Sequence, residues 1–88
     1  MMGIELIIVR LAQLHPRMDR NTIVTWLKRE GEQVHQREPF YVVETRKSTF
    51  EVCSEWEGTV ERLLVPQAGK VSEHQELALI RPLSSITD

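Results

Sequence analysis

An internal repeat constrains the fold of this chain more than any other feature of its sequence. Residues 22–43, TIVTWLKREGEQVHQREPFYVV, align without a gap on residues 59–80, TVERLLVPQAGKVSEHQELALI. Apolar positions coincide while polar positions differ, as expected when matching side chains fill one shared core. The coinciding pairs are Thr22 with Thr59, Ile23 with Val60, Trp26 with Leu63, Leu27 with Leu64, Val34 with Val71, Phe40 with Leu77, Val42 with Leu79 and Val43 with Ile80. Because two copies are too few for a solenoid, the repeat favours two half-domains related by a pseudo-twofold axis.

Each copy has the composition of two strands separated by a turn. The strand-like runs are rich in β-branched, aromatic and other apolar residues. They are residues 22–27, 40–43, 60–65 and 77–80. Gly31 interrupts the first copy, as Pro66 and Gly69 interrupt the second, and no segment keeps a helical period of useful length. Short strands at nearly regular spacing predict an all-β sandwich or flattened barrel.

Size and charge exclude several classes of function. A chain of 88 residues suits a single domain. Its net charge is −2, and its 11 basic residues are interleaved with 13 acidic ones, whereas nucleic-acid binding requires clustered cations. The apolar stretch of residues 4–9 is too short to span a bilayer, contains Glu5 and lacks the flanks of a signal peptide. We therefore expect a cytoplasmic protein with no nucleic-acid partner and no membrane association.

The sequence offers no residues with the pattern of a catalytic or metal site. The single cysteine, Cys53, permits no intrachain disulfide. We interpret it as a free, partly buried thiol, because no histidine stands near it in sequence and its flanks are strand-like. The spacing of His15, His35 and His74 does not suit zinc, and neither a phosphate loop nor a dinucleotide fingerprint is present. We expect no metal ion, no catalytic residues and no autonomous enzymatic activity.

A second feature is the stretch VVETRKSTFEV, residues 42–52, in which only Arg46 and Lys47 separate two strand-like runs. Short hairpin turns normally use Gly, Asn or Asp because they require positive φ, but a type I turn tolerates most residues. If the two cations form the connection, the facing residues are fixed. They are Thr45 with Ser48, Val43 with Phe50 and Tyr41 with Val52 on one face, and Glu44 with Thr49 and Val42 with Glu51 on the other. We expect a hairpin with one core face and one solvent face.

The repeat and the hairpin together resemble the lipoyl and biotinyl attachment domains. NTIVTWLKREGEQV is similar to the family pattern G-T-I-x-x-W-L-x-x-E-G-D-x-V, and VVETRKSTFEV is similar to V-E-T-D-K-A-x-x-E-V. EGTVERLLV and LALI match G-x-V-x-x-x-x-V and L-A-x-I. The resemblance implies a flattened β-barrel (barrel-sandwich hybrid) of two four-stranded antiparallel sheets with quasi-twofold symmetry. We expect this domain over residues 1–80 and a flexible tail of linker-like composition over residues 81–88.

The resemblance implies that Lys47 carries a covalent lipoyl group. Biotin carriers typically present Met-Lys-Met at this tip, whereas the neighbours of Lys47 are Arg46 and Ser48, so lipoic acid is favoured over biotin. Such an arm accepts an acyl group and two electrons at one active site of a 2-oxo acid dehydrogenase complex and delivers the acyl group at another. Glu44, Thr45, Arg46 and Ser48 are the expected contacts of the partner or ligase.

The implied partners follow from that cycle. They are a lipoate ligase or lipoyl transferase, a 2-oxo acid dehydrogenase component, an acyltransferase, and the flavin-dependent dihydrolipoamide dehydrogenase that reoxidises the dithiol. The chain is expected to act as a monomer, either as a piece of an acyltransferase chain or as a free-standing carrier acting in trans. Two alternatives stay open: a biotin carboxyl carrier, and an unmodified structural barrel whose hairpin is an interaction surface.

The chain departs from the family pattern at five positions. Arg46 replaces the acidic residue that usually precedes the lysine, which puts the identity of the ligase and of the dehydrogenase partner in question. Asn21, Arg37, His74 and Ala68 stand where the family commonly has glycine. Because glycine is what normally permits positive φ, we expect the turns at these positions to adopt different local conformations.

Overall fold

The computed structural model describes residues 5–11, 22–72 and 74–82, and all regular structure within these ranges is β-strand. The strands are β1 (Ile7–Arg10), β2 (Ile23–Trp26), β3 (Gln33–Val34), β4 (Pro39–Glu44), β5 (Thr49–Cys53), β6 (Gly58–Leu63), β7 (Gly69–Lys70) and β8 (Glu76–Pro82). They form two four-stranded antiparallel sheets, in the orders β1-β8-β6-β3 and β5-β4-β2-β7. The predicted all-β class and the two-sheet flattened barrel are confirmed, with the two sheets packed as an unclosed sandwich.

The two sheets repeat one another in the way the sequence repeat predicts. Strands β5, β4, β2 and β7 of one sheet correspond in order to β1, β8, β6 and β3 of the other. Matching backbone bonds recur at the same offset: Leu27 N–H donates to the Phe40 carbonyl at 2.9 Å, and Leu64 N–H donates to the Leu77 carbonyl at 2.8 Å. The pseudo-twofold relation between half-domains is therefore confirmed.

The interior consists of apolar side chains that alternate with exposed residues along each strand, as a half-buried strand requires. Fully buried residues come from both copies of the repeat: Val24, Val34, Phe40, Val43, Val60, Leu77 and Ile80. An aromatic cluster closes one part of this core, with the rings of Phe40 and Tyr41 both 5.4 Å from that of Trp26. The indole N–H of Trp26 donates to the Val65 carbonyl at 2.8 Å, so this large residue is buried with its polar atom satisfied.

Each half-domain also supplies a side-chain hydrogen-bond acceptor to a backbone N–H at a strand end of the other half-domain. The backbone N–H of Trp26 donates to Oε1 of Gln67 at 2.6 Å, and the backbone N–H of Leu63 donates to Oε2 of Glu30 at 2.9 Å. Trp26 and Leu63 are repeat mates, and so are Glu30 and Gln67. The turns that follow β2 and β6 therefore exchange side-chain acceptors, which ties the two sheets together at equivalent points.

The expectation that turns lacking glycine would change conformation is wrong at the three positions that the structure describes. Arg37, Ala68 and His74 have φ values of 72°, 61° and 63°, in the left-handed region that glycine normally occupies, and Gly31 has 91°. The surrounding ladder holds these residues there, since Arg37 N–H donates to the Ser54 carbonyl at 2.7 Å and His74 N–H donates to the Leu11 carbonyl at 3.0 Å. The fourth position, Asn21, lies outside the described residues.

Two further expectations need correction. Cys53 is exposed and not partly buried, because it follows core-facing Val52 on β5 and alternation turns it to the solvent face. Strand β8 continues through Arg81 and Pro82, two residues into the predicted tail, and residues 83–88 lie outside the described ranges. No helix capable of spanning a membrane occurs in the part of the chain that the structure describes.

Candidate functional site

The β4–β5 hairpin has the register that the sequence predicts. Val43 pairs with Phe50 and Glu44 pairs with Thr49. Tyr41 and Val43 are buried and Phe50 is half-buried, whereas Glu44 and Thr49 are exposed. The tip is thus mounted on side chains that belong to the core, while polar residues cover its outer face.

At the tip, Arg46 and Lys47 form the predicted two-residue connection. Thr45 N–H donates to the Ser48 carbonyl at 2.8 Å and closes the last rung of the hairpin. Neither cation belongs to the described residues that have positive φ, so the turn does not use the primed geometry for which glycine or asparagine is normally selected. A hairpin can therefore form here without glycine or asparagine in its connection, as expected from the sequence.

Lys47 and Arg46 are both exposed. Lys28 is different: its Nζ lies 2.7 Å from a carboxylate oxygen of Glu38, and only 20% of its side chain is exposed. The side chains of Lys47 and Arg46 form no ion pair and no hydrogen bond among residues 5–11, 22–72 and 74–82. The amine of Lys47 is therefore free to leave the protein surface, which is what attachment of a prosthetic group through an amide requires.

The five tip residues singled out from sequence are consecutive and occupy one end of the sheet, but their exposure differs. Glu44, Arg46 and Lys47 are exposed, whereas Thr45 and Ser48 are only half-buried between the strands. The hydroxyl of Thr45 contacts the chain itself: it accepts hydrogen bonds from Lys47 N–H at 3.2 Å and Ser48 N–H at 3.0 Å. The sequence indicated the position of Thr45 but not this internal role.

The structure adds one charged residue to the outer face beside the tip. Ile23 of β2 pairs with Glu44 on one side and with Lys70 of β7 on the other, so these three side chains form a row across the sheet. Lys70 is exposed. The sequence contained no sign of this neighbour, because β7 has only two residues and its register depends on the other half-domain.

Of the residues that the structure describes, Tyr41 is the one buried titratable residue in the core below the tip. Burial, and to a smaller extent the negative charge of Glu55, raises the pKa of Tyr41 to about 12. The phenol is therefore neutral at physiological pH, and it packs edge-on against Trp26 and Phe40. These contacts make Tyr41 a support for the hairpin and leave it without the accessibility that proton transfer needs.

Other parts of the described chain offer less chemistry. His35 Nδ1 lies 3.3 Å from a carboxylate oxygen of Glu57, with both side chains exposed. Groups of three or more metal-ligating side chains do not occur among the described residues. An open groove of about 850 Å³ lies between the turns that follow β2 and β6, and its lining, which includes Leu27 and Gln67, contains none of the tip residues.

Comparison with known proteins agrees with this architecture. A family model described as "Biotin-requiring enzyme" matches residues 9–80, which is more than half of the chain. The dihydrolipoyllysine-residue acetyltransferase component of the pyruvate dehydrogenase complex from Rickettsia bellii is 35% identical over 57 residues, covering 65% of this chain and 14% of the relative. The dihydrolipoyllysine-residue succinyltransferase component of the 2-oxoglutarate dehydrogenase complex from Staphylococcus saprophyticus is 32% identical over 72 residues, covering 82% and 17%.

A pyruvate dehydrogenase E1 component subunit beta from Rhizobium meliloti is 37% identical over 57 residues, covering 65% of this chain and 12% of the relative. The chain therefore spans less than a fifth of the length of each of these three relatives. On the family match, the two-sheet fold and the lysine-bearing hairpin, this chain belongs to the biotin and lipoyl attachment domain family and resembles the lipoyl domains of 2-oxo acid dehydrogenase acyltransferases.

Proposed function

We propose that this protein is a lipoyl carrier, with lipoic acid linked through an amide to the side chain of Lys47. The observation that carries the proposal is an exposed lysine at the end of a hairpin whose base is part of the core, with no partner for its side chain in the part of the chain that the structure describes. Two of the similar proteins are named for a dihydrolipoyllysine residue, which supports lipoic acid over biotin. Lys47 is flanked by Arg46 and Ser48, whereas the lysine of biotin carriers typically stands between two methionines.

Attachment requires a second protein. A lysine amine is protonated at neutral pH and does not acylate itself. A lipoate ligase or lipoyl transferase must present the acyl group in activated form. A base of that enzyme takes one proton from the ammonium group. The free amine nitrogen then forms a bond to the acyl carbon while the bond to the leaving group breaks, and the nitrogen gives up its second proton to the leaving group or to solvent. The hairpin supplies the geometry, because Lys47 stands at a narrow tip that can enter another active site.

The lipoyl group would supply a dithiolane that carries an acyl group and two electrons. The chain's own part is to hold Lys47 at a fixed exposed point and to present a surface to its partners. We propose that these partners are a 2-oxo acid dehydrogenase component, an acyltransferase and dihydrolipoamide dehydrogenase, and that this chain contributes no catalysis of its own. The same exposed tip would serve an arm tethered to an acyltransferase and a free-standing one acting in trans.

Arg46 and Glu44 are the proposed recognition residues of this surface. Both are exposed, and Arg46 has no ion pair among the residues whose placement is described. After amidation removes the charge of Lys47, Arg46 is the remaining formal cation of the two-residue connection. Its guanidinium can then bind a carboxylate or phosphate on a partner in a bidentate manner.

Intact-mass measurement tests the proposal directly. The protein is incubated with ATP, a lipoate ligase and lipoate, and in parallel with ATP, a biotin ligase and biotin. We expect one lipoyl increment on the wild type and none on Lys47→Arg, which keeps the charge. Lys70→Arg is the matched control, because it alters another exposed lysine of the same sheet, and it should be modified normally.

Each other outcome identifies an alternative. A biotinyl increment lost in Lys47→Arg would replace lipoyl carriage with carboxyl carriage on the same lysine. A lipoyl increment that persists in Lys47→Arg would show that the attachment point is wrong. No adduct with either ligase would refute the proposal and leave the hairpin as an interaction surface of an unmodified barrel.

A further inference from the structure

We infer that the hydroxyl of Thr45 is a positioning group that holds Lys47 in the orientation required for its modification. This inference rests on the proposed function, and it changes the role of Thr45 from partner contact to internal support. It depends on the hydrogen bonds that the hydroxyl makes within the tip and on the absence of positive φ in the connection.

Every hydrogen-bonding position of this hydroxyl is used inside the hairpin. A threonine hydroxyl has one donor and two acceptor sites. Here it accepts from Lys47 N–H at 3.2 Å and from Ser48 N–H at 3.0 Å, and it donates to the Ser48 carbonyl at 3.2 Å. A partner could bind this oxygen only by displacing one of these bonds, so Thr45 is not available for recognition while the tip keeps this form.

The hydroxyl also replaces a backbone interaction. In a hydrogen-bonded β-turn, the N–H of Ser48 would donate to the carbonyl of Thr45. In this hairpin that N–H donates to the side chain of Thr45, as serine and threonine side chains do when they substitute for backbone acceptors in turns. The substitution lets Arg46 and Lys47 form the connection without the positive φ that a primed turn demands.

Lys47 is held in this arrangement through its backbone. It is exposed, and its side chain has no contact that would fix it among the described residues. Within the described ranges, the one hydrogen bond of Lys47 runs from its N–H to the Thr45 hydroxyl. Without that oxygen the backbone at Lys47 would be free to sample other turn conformations, and the ligase would have to select the competent one from the mixture.

The test compares Thr45→Val with Thr45→Ser. Valine keeps the size and β-branching of threonine without the oxygen, whereas serine keeps the oxygen. Thr45→Val removes all three hydrogen bonds of the hydroxyl. The loss of the two accepted bonds, each of ordinary strength, should by itself reduce kcat/KM for lipoylation by about fivefold to thirtyfold. In Thr45→Val the exchange of the Ser48 amide hydrogen should accelerate, and Thr45→Ser should restore both the modification rate and the amide protection.

Thr49→Val is the matched control. Thr49 is exposed on β5, four residues from Thr45, and its hydroxyl makes no hydrogen bond among the described residues. This variant should be modified at the wild-type rate. A Thr45→Val protein modified as fast as the wild type would overturn the inference, and so would a defect that Thr45→Ser does not rescue or that Thr49→Val shares. If the wild type takes no lipoyl group, the proposed function itself is refuted. That outcome is distinguishable from failure of the Thr45 inference, because it is seen before any variants are compared.

Discussion

Replacing Ala68 with glycine should stabilise this protein, although the change removes a methyl group. Ala68 has a φ of 61°, and the left-handed region costs a residue with a β-carbon about 1–2 kcal/mol. Glycine escapes that cost but loses about 0.5–1 kcal/mol through its greater freedom in the unfolded chain. Ala68 is exposed, so little packing is lost. The net expectation is a gain of about 0.5–1 kcal/mol in the free energy of unfolding.

The repeat provides the reverse experiment within the same chain. Gly31 is the repeat mate of Ala68 and has a φ of 91°, and a β-carbon built there would meet no atom within 4 Å. Gly31→Ala therefore introduces conformational strain without a steric clash, and it should destabilise the protein by about 1 kcal/mol. The free energy of unfolding should rise in Ala68→Gly and fall in Gly31→Ala, although each variant exchanges the same two residue types.

Urea unfolding followed by tryptophan fluorescence measures both variants, since Trp26 lies in the core. A change in midpoint with an unchanged slope reports stability alone. For a domain of this size, 1 kcal/mol corresponds to about 4–8 °C in Tm. A loss of stability in Ala68→Gly, or equal stability of Gly31→Ala and the wild type, would refute the assignment of strain to these turns.

Two predictions concern charge. The hydrogen bond from Lys28, with one from His35 N–H, lowers the pKa of Glu38 below 4.5. The ionised Glu38 carboxylate therefore stabilises the fold above pH 4.5, and this stabilisation is lost as pH falls through the lowered pKa. Glu38→Gln should be less stable than the wild type at pH 7, and the denaturation curves of the two proteins should converge in acid. Arg46→Asp should speed lipoylation by a general lipoate ligase roughly threefold or more, because it restores the negative charge that usually precedes the modified lysine in this family. Arg62→Asp makes the same charge change on the other sheet, and equal rates for the two variants would remove Arg46 from recognition.

The features predicted correctly from sequence are those in which side-chain periodicity and burial agree. The hairpin register was predictable because a slip of one residue would bury Glu44 and Glu51, and the structure keeps both exposed. The two half-domains were predictable because repeat mates such as Phe40 and Leu77 occupy equivalent core positions. The position of Lys47 followed from the same register.

The features that were missed depend on the chain as a whole. Strands β3 and β7 have two residues each and form only by pairing with the other half-domain. The left-handed conformation of Arg37 and His74 could not be predicted from their residue types, because the strands on either side impose it. The internal role of the Thr45 hydroxyl was hidden because its acceptor function depends on atoms of the folded turn.

The repeat also gives the domain two distinct ends. Strand β2 begins at Ile23, which pairs with Glu44 beside the lysine tip, and runs away from that tip. The chain then reaches β3 at the opposite end of the domain. There β3 pairs with the start of β6, where Gly58 lies opposite Pro82 of β8. At that far end the start of β1 and the end of β8 lie side by side, as β4 and β5 do at the tip. Both strand ends are therefore remote from Lys47. On the proposed function, a tether fixed at that end would leave the Lys47 tip unobstructed for its partner enzymes.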